Sequence, residues 1–226
     1  ELEKSSQEVM QANQAKSDFL SHMTHDIRTP INGVMGMVEV IKKNRSDQGK
    51  VDECLDKIQK ASRHLLALLN DVLDMSKLES GKIQLEQIPF ELEKEMKELQ
   101  TITETQAEEK ELTVFCDMTE IQHNELIGSP LHMRRILLNL LSNAVKYNKK
   151  GGEIHLTVKE IMQNDKTALF EFKVTDNGIG MSKAFIEDKL FQPFVQGVGG
   201  ARTKYQGTGL GMSIVQRIVR EMTGSI

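Results

Sequence analysis

Apolar residues recur at three- and four-residue steps through two long stretches in the first third of the chain. In the first stretch they are Leu20, Ile27, Ile31, Val34, Val38 and Ile41, with Thr24 filling one gap. In the second they are Val51, Leu55, Ile58, Leu65, Leu69, Val72, Met75 and Leu78. This spacing is typical of amphipathic helices, and the turn-rich segment 44–49 predicts a break between them. The pattern therefore predicts an antiparallel helical hairpin whose second helix stops at Gly81.

The apolar face of this hairpin is wider than one partner helix could cover, because Cys54, Ala61, Leu66 and Leu68 extend it. A thin hairpin cannot bury such a face by itself. We therefore expect two copies to pair as a homodimer, with their hairpins forming a four-helix bundle. Packing of the same face against the C-terminal part of the chain is the alternative.

From Lys82 onward the pattern changes to short strands and helices. The predicted elements are a strand at 82–88 interrupted by Pro89, a helix at 91–109, a strand at 112–116, a helix capped by Ser129-Pro130 that reaches Tyr147, strands at 153–161 and 168–176, and a helix at 208–222. This order predicts an α/β sandwich. The fold class is thus α+β, with a helical domain at residues 1–80 and a second domain at residues 82–226.

Composition limits which partners and which cellular compartment are expected. The chain has 29 basic and 33 acidic residues, which gives no reason to expect a nucleic-acid partner. Cys54 and Cys116 are too few and too far apart for a disulfide framework, so a reducing, cytoplasmic setting is expected. No apolar run is long enough to span a bilayer, so we expect any membrane anchor to lie in segments outside this sequence.

The first candidate site lies in the first helix, where His25 is followed by Asp26 and then by Thr29. The heptad register places Thr24 and Ile31 at a positions, so His25 falls at an outward-facing b position. An exposed histidine beside an aspartate is more often plain solvated surface, and the pair alone does not decide between the two interpretations.

The second candidate site begins on the helix that reaches Tyr147. Asn139 and Asn143 are four residues apart and share a face, which their apolar neighbours predict to be buried. An amide oxygen is a suitable ligand for Mg²⁺, which relies on substrate phosphates for its other ligands. Lys146 follows one turn later and could reach a phosphate, although structural capping remains an alternative for the two amides.

Two glycine-containing segments add to this site. Asp176 follows a strand and precedes Gly178 and Gly180, so its carboxylate, expected to be buried, could accept a hydrogen bond from an exocyclic amine such as that of adenine. A simple Asx turn is the alternative. The later segment, Gly207-Thr208-Gly209-Leu210-Gly211, opens a helix whose amides could bind phosphate.

Neither a dinucleotide fingerprint nor a P-loop is present in that segment. It is preceded by Phe191-Gln-Pro-Phe194 and by residues 196–206, which contain three glycines together with Arg202 and Lys204. This composition predicts a mobile lid that brings cations to a triphosphate.

In combination these segments resemble the boxes of sensor histidine kinases, hybrid kinases included. Residues 21–30 resemble the phospho-acceptor box, with Asp26 where many members have Glu. Asn139 to Lys146, Asp176 to Gly180, Phe191 to Phe194 and Gly207 to Gly211 resemble the N, G1, F and G2 boxes in the family's order. Members usually continue with further strands beyond the point where this chain stops, so we expect the C-terminal strands of the domain to be truncated.

The resemblance implies autophosphorylation of His25 from ATP, followed by transfer to an aspartate of a response-regulator receiver domain. It assigns Mg²⁺ binding to Asn143, phosphate contacts to Asn139 and Lys146, a place near adenine to Tyr147, and recognition of the adenine amino group to Asp176. Asp26 would orient the His25 ring, and Thr29 would support dephosphorylation of the regulator.

Two other functions share parts of this pattern. An ATP-driven clamp of the gyrase or chaperone type has the same nucleotide pocket but needs no acceptor histidine. A degenerate scaffold would dimerise without binding ATP, which the intact Asn143, Asp176 and glycines argue against.

Overall fold

The computed structural model describes residues 23–24, 27–79, 84–164, 166–193, 195 and 209–226. The chain forms two compact units, Glu1–Lys77 and Leu78–Ile226. The predictions for His25, Asp26, Phe194, Arg202, Lys204, Gly207 and Thr208 lie outside the described residues, as does the predicted helix stop at Gly81.

The described part of the first unit contains two helices. Helix α1 covers residues 27–43, and helix α2 runs over Gln48–Glu79. The connecting turn is closed by Asn44, whose Nδ2 donates to the Val40 carbonyl at 2.8 Å. Asp47 then accepts the Lys50 amide at 3.1 Å, which is the bond of an N-cap residue to the third helical amide. The break predicted at 44–49 is thus a tight, capped turn. No described helix is apolar enough over a sufficient length to cross a membrane.

Helix α2 leaves one apolar side uncovered within the single chain. Cys54 and Leu68 are buried. Four other leucines are exposed: Leu55, Leu66, Leu69 and Leu73. Their separations of eleven, three and four residues are each close to whole helical turns, so they form one stripe along α2. We call these four residues the leucine stripe.

The second unit begins with a small antiparallel sheet of two strands, β1 (Ile88–Glu91) and β3 (Glu125–Gly128). The prediction that Pro89 interrupts a strand at 82–88 was wrong: Pro89 lies inside β1 opposite Ile127, and residues 84–87 have no regular structure. Strand β1 pairs on one side only, and an edge strand tolerates the missing proline amide. Strand β3 was not predicted, because four residues give too short a pattern.

The main sheet has the order β2-β4-β5. Its strands are β2 (Thr113–Glu120), β4 (Glu153–Gln163) and β5 (Ala168–Asp176), with β2 parallel and β5 antiparallel to β4. The helices are α3 (Leu92–Ala107), which a 3-10 turn at Glu108–Lys110 extends, α4 (Pro130–Lys146), α5 (Lys183–Asp188) and α6 (Gly211–Glu221). Thr208 lies outside the described residues, and α6 begins at Gly211.

Helices α3 and α4 share one core with one face of the main sheet. The alternation of β4 is the sequence feature behind this core, because Ile154, Leu156 and Val158 are buried while Glu153 and His155 are exposed. The helices contribute buried residues at helical spacing: Leu92, Met96, Leu99, Met133, Leu137, Leu141, Ala144 and Val145. The predicted α/β sandwich is confirmed.

The start of α4 differs from prediction in one detail. Pro130 occupies the first turn as expected, but the Ser129 side chain does not cap the helix amides. Its buried hydroxyl instead lies 2.7 Å from Nδ1 of His132 and accepts the Glu86 amide at 3.3 Å. Ser129 therefore joins the segment before β1 to the first turn of α4.

Candidate nucleotide-binding site

Helix α4 positions the residues of the N box on the side away from the sheet. Leu137 and Leu141 face the core and are buried, whereas Asn139, Asn143 and Lys146 are half-buried. A residue two positions from Leu137 lies about 200° around the helix, which explains the separation. The expectation that both amides lie on a buried face was therefore wrong, since they line the border between core and solvent.

Asn139 lies directly against the first residue of α6. Its Nδ2 donates to the Arg135 carbonyl at 3.0 Å. Its Oδ1 lies so close to Gly211 that a Cβ added at that glycine would be 2.7 Å away. Only glycine fits at this point without displacement, so the N and G2 boxes meet at the pair Asn139 and Gly211.

The Asn143 side chain has no hydrogen bond within the described part of the chain, although its backbone carbonyl accepts the Tyr147 amide at 2.9 Å. No buried polar side-chain atom among the described residues lacks a partner, so the Asn143 amide group is open to solvent. An accessible amide oxygen on a rigid helix suits a hard cation that takes its other ligands from phosphate and water. The described residues contain no cluster of three or more histidine, cysteine or acidic side chains that could hold a metal alone.

The loop after β5 is attached to the end of α4. The Ile179 amide donates to the Tyr147 carbonyl at 3.1 Å, and a Cβ at Gly178 would collide with that same carbonyl oxygen. Gly180 has a positive φ of 66°, a conformation that glycine adopts at no steric cost. The N and G1 boxes thus pack backbone to backbone, which requires the two glycines that the sequence singled out.

Asp176 is exposed, which contradicts the expectation of a buried carboxylate. It is the last residue of β5, where it pairs with Ile154. Its Oδ1 accepts the Gly178 amide at 2.9 Å. The Asx-turn interpretation is therefore correct for one oxygen, and this bond fixes the direction of the carboxylate at the loop.

Lys146 and Tyr147 form a cation–π contact at the end of α4. The Lys146 ammonium lies 4.7 Å from the centre of the Tyr147 ring, within the usual range for such contacts. Lys146 was expected to reach a phosphate, and here its ammonium lies over the tyrosine ring.

The remaining boxes are described only in part. Phe191 is half-buried in the turn that follows α5. Gly209 has a φ of 69°, Leu210 is fully buried, and Gly211 is the first residue of α6. The amino end of α6 therefore carries the Gly-Leu-Gly segment, and a helix amino end attracts phosphate.

Asn148 is a residue of this site that sequence reasoning missed. It is 4% exposed; its Nδ2 donates to the Glu153 carbonyl at 3.1 Å and its Oδ1 accepts the Lys149 amide at 2.9 Å. Asn177 also accepts the Glu153 amide at 2.9 Å. The two asparagines join the end of α4, the start of β4 and the G1 loop. An asparagine that ends a helix just before Gly151-Gly152 was the available signal.

The geometry defines a class of domain, a nucleotide-binding α/β sandwich. In it one helix, α4, carries the Asn143 amide and contacts both the loop after Asp176 and the glycine-rich start of α6. Comparison with known proteins agrees. Residues 128–226 match the family described as "Histidine kinase-, DNA gyrase B-, and HSP90-like ATPase", and residues 15–81 match "His Kinase A (phospho-acceptor) domain". The first match implies that ATP is the nucleotide.

The chain is also similar to individual histidine kinases. The chain is 36% identical over 226 residues to the signal transduction histidine-protein kinase BarA of Escherichia coli K12, covering 100% of this chain and 24% of BarA. Full-length ShkA in complex with AMPPNP has a TM-score of 0.63 at 26% identity over 94% of this chain and 42% of ShkA. Histidine kinase ThkA in complex with response regulator protein TrrA has a TM-score of 0.65 at 18% identity over 95% of this chain and 57% of that one.

The chain carries the phospho-acceptor and ATP-binding domains of histidine kinases. It spans about a quarter of the length of BarA, 24%.

Proposed function

We propose that this chain is a histidine kinase core that transfers the γ-phosphoryl group of ATP to His25 and then to an aspartate of a response regulator. The observation that carries the proposal is the convergence of three boxes on α4: Asn143 open to solvent, the Asp176 loop held by the Tyr147 carbonyl, and Gly211 against Asn139. An ATP donor and a response-regulator acceptor both support a cytoplasmic location.

Each box residue has a role that its position supports. The second carboxylate oxygen of Asp176 would accept from the adenine amino group, since the first already holds the Gly178 amide. Tyr147 would pack beside adenine, and Asn139 with Lys146 would support the phosphates. Gly178, Gly180, Gly207, Thr208, Gly209, Leu210 and Gly211 would allow close backbone approach, Phe191 would line the pocket edge, and Arg202 and Lys204 would bring positive charge to the triphosphate.

Mg²⁺ fits the Asn143 position, where the only protein ligand required is one accessible amide oxygen. When bound, the ion would neutralise charge on the phosphate oxygens. Helix α4 would relate the metal-binding and adenine-binding ends of the pocket, since it carries Asn143 and the Tyr147 carbonyl at its end holds the loop that follows Asp176.

The acceptor chemistry rests on the sequence around His25. An imidazole with an ordinary pKa of about 6.5 is largely neutral at cytoplasmic pH and can attack phosphorus through one nitrogen. Asp26 would accept the N–H of the other nitrogen and orient the ring. The bond between His25 nitrogen and phosphorus forms as the bond to the ADP leaving oxygen breaks. Little further chemistry is needed beyond positioning and charge neutralisation.

We further propose a homodimer built through the leucine stripe, because a second hairpin would bury Leu55, Leu66, Leu69 and Leu73. The phospho-acceptor match at residues 15–81 supports this arrangement. The fold likeness to ThkA, solved in complex with response regulator protein TrrA, supports a response regulator as a partner of this chain.

Thr29 supports a second activity, dephosphorylation of the regulator. It is exposed on α1, one helical turn after His25 in the sequence. A hydroxyl there could hold a water for attack on an acyl phosphate. In Thr29→Ala, autophosphorylation of His25 should persist while a phosphorylated regulator supplied with ADP decays more slowly than with the parent. Equal decay of the phosphorylated regulator with both proteins would show that Thr29 has no part in dephosphorylation.

The nucleotide site is tested by calorimetric titration of ATP with and without Mg²⁺. Asn143→Ala should weaken binding only when Mg²⁺ is present, whereas Asp176→Ala should weaken it in both conditions. Lys149→Ala, an exposed residue in the adjacent turn, is the matched control and should bind like the parent. Parent-like binding by both site variants would place the pocket elsewhere.

A further inference from the structure

Lys110 is far from the boxes in sequence, yet its side chain meets the end of the helix that carries the N box. It is the last residue of the 3-10 turn Glu108–Lys110, and the chain then reverses through Glu111, which has a φ of 55°. This reversal sends Lys110 toward α4 while the backbone continues into β2. The half-buried Lys110 side chain therefore approaches α4 from a different element.

The Lys110 ammonium donates to carbonyls at the carboxyl end of α4. Its Nζ lies 2.9 Å from the Val145 carbonyl oxygen, 2.6 Å from that of Lys146 and 3.4 Å from that of Asn148. The last carbonyls of a helix have no amide partner within the helix, and a cation at this end also interacts favourably with the helix dipole. Lys110 thus supplies both hydrogen bonds and charge where α4 lacks them.

The Lys110 backbone fixes the turn that follows. Its carbonyl accepts the Gly151 amide at 3.0 Å, and Gly151 has a φ of 70°. The residue therefore holds the end of α4 through its side chain and the α4–β4 turn through its main chain. Between these two attachments lie Tyr147 and Asn148.

Tyr147 transmits this restraint to the G1 loop. Its carbonyl accepts the Ile179 amide at 3.1 Å, and Ile179 follows directly on Gly178, which is bonded to Asp176. The path from Lys110 to Asp176 consists of the Lys110 side-chain bonds to the end of α4, the backbone bond from Ile179 to Tyr147 and the Asx bond of Asp176. A shift in the last turn of α4 would therefore move the Asp176 loop and the Asn143 amide together.

We propose that Lys110 is a positioning residue for nucleotide binding, which sets the last turn of α4 and through it the spacing of Asn143 and the Asp176 loop. The inference rests on the proposed function, since it assigns Lys110 to the ATP site. The Lys110 bonds described above go to backbone carbonyls, so Lys110 is assigned a positioning role and not a catalytic one.

Titration of ATP and Mg²⁺ into Lys110→Met, measured by calorimetry well below the unfolding temperature, tests the proposal. A displaced helix end should raise Kd by about tenfold or more, the equivalent of one charge-assisted hydrogen bond, with a stoichiometry near one. Lys110→Arg keeps a cation for the carbonyls and should recover most of the affinity. Lys149→Met removes an exposed ammonium from the same turn and should bind like the parent.

A merely structural role predicts a different result: fewer binding-competent molecules, hence lower stoichiometry, with an unchanged Kd for those that remain. That result would overturn the proposal, and so would an unchanged Kd at full stoichiometry. Calorimetry distinguishes these outcomes, because stoichiometry and Kd are separate parameters of one titration. Protein lost during preparation does not change the fitted Kd.

Hydrogen exchange of nucleotide-free protein, followed by nuclear magnetic resonance, separates this inference from the proposed function. In Lys110→Met the Ile179 amide should exchange faster than in the parent, while the Met222 amide, bonded to the Ile218 carbonyl at the far end of α6, should not change. Unchanged Ile179 exchange would overturn the positioning role. Failure of the parent to bind ATP would instead remove the proposed function and leave the exchange result standing.

Discussion

The two units of this chain differ in how far their apolar side chains are exposed. In the ATP-binding unit Leu92, Leu99 and Ile154 are 0% exposed, and single exposed residues such as Ile127 are ordinary for a globular surface. In the helical hairpin Leu66 is 61% exposed and Leu73 58%, both within the leucine stripe. The sandwich completes its core within one chain, whereas the hairpin leaves the leucine stripe exposed, as the proposed dimer would require. Stability of the first is therefore a property of the monomer, and stability of the second should depend on protein concentration.

The largest change in the dimer constant should come from a charge in the leucine stripe. Leu66→Asp puts one carboxylate from each copy into the proposed dimer interface, and the dimer should weaken by a hundredfold or more, about 2.7 kcal/mol. Sedimentation equilibrium measures this, and the ATP affinity of the other unit should not change. Lys60→Asp, on a different side of α2, is the control. An unaltered dimer in Leu66→Asp would show that the stripe packs elsewhere.

A smaller side chain in the core of the ATP-binding unit should destabilise that unit and leave the dimer unchanged. Leu137→Ala in α4 should lower the free energy of unfolding of the ATP-binding unit by about 2–5 kcal/mol, because the buried leucine leaves a cavity beneath the sheet-facing side of the helix. Denaturant unfolding measures the loss, and the dimer constant should stay the same. A changed dimer constant would mean that the two units are not independent.

A smaller effect is expected where the N and G2 boxes meet. Gly211→Ala should destabilise the ATP-binding unit by about 1–3 kcal/mol, since its Cβ would overlap Asn139 Oδ1. The cost should shrink when Asn139→Ala is added, giving a coupling in a double-mutant cycle. Gly36→Ala in α1 is the control, because a Cβ there meets nothing within 4 Å. Additive costs would contradict the close contact.

The smallest effect should appear as a pH dependence of the ATP-binding unit. Burial raises the pKa of Glu160, but hydrogen bonds from the Gln122 and His123 amides and from the His123 ring outweigh it, so the pKa lies below its usual value. A depressed carboxyl pKa stabilises the fold above the unfolded value of about 4.3 and loses that contribution as pH falls through the folded pKa.

Glu160→Gln removes this titration. Its unfolding free energy should be lower than that of the parent at pH 7 and should fall less steeply below pH 4.5. If unfolding free energy changes with pH in the same way for both proteins, ionised Glu160 makes no measurable contribution to stability.

Much of this contrast could be predicted from sequence. The excess width of the apolar face on α2 predicted a second hairpin, and the patterns at 153–161 and 168–176 predicted the strands β4 and β5. Both signals are periodic over many residues. Strand β3 and the placement of Pro89 inside β1 could not be predicted, because a four-residue edge strand is stabilised by its partner and not by its own pattern.

The site was predictable in composition but not in geometry. The boxes pointed to Asn139, Asn143, Asp176, Gly178 and Gly211, which lie on or against α4 and its end, yet Asp176 proved exposed and the two amides proved half-buried. Lys110 had no local signal that pointed to the site, and the signal at Asn148 was only its place between a helix end and Gly151-Gly152. Their roles arise from carbonyls at a helix end, which only the tertiary structure brings within reach.

Phosphoryl transfer to His25 is the central claim, and one labelling experiment tests it directly. The parent protein incubated with γ-labelled ATP and Mg²⁺ should acquire label that is lost in acid and stable in base. His22→Ala, a neighbouring histidine change, should retain the label, and His25→Ala should acquire none. Label that persists on His25→Ala would contradict the account.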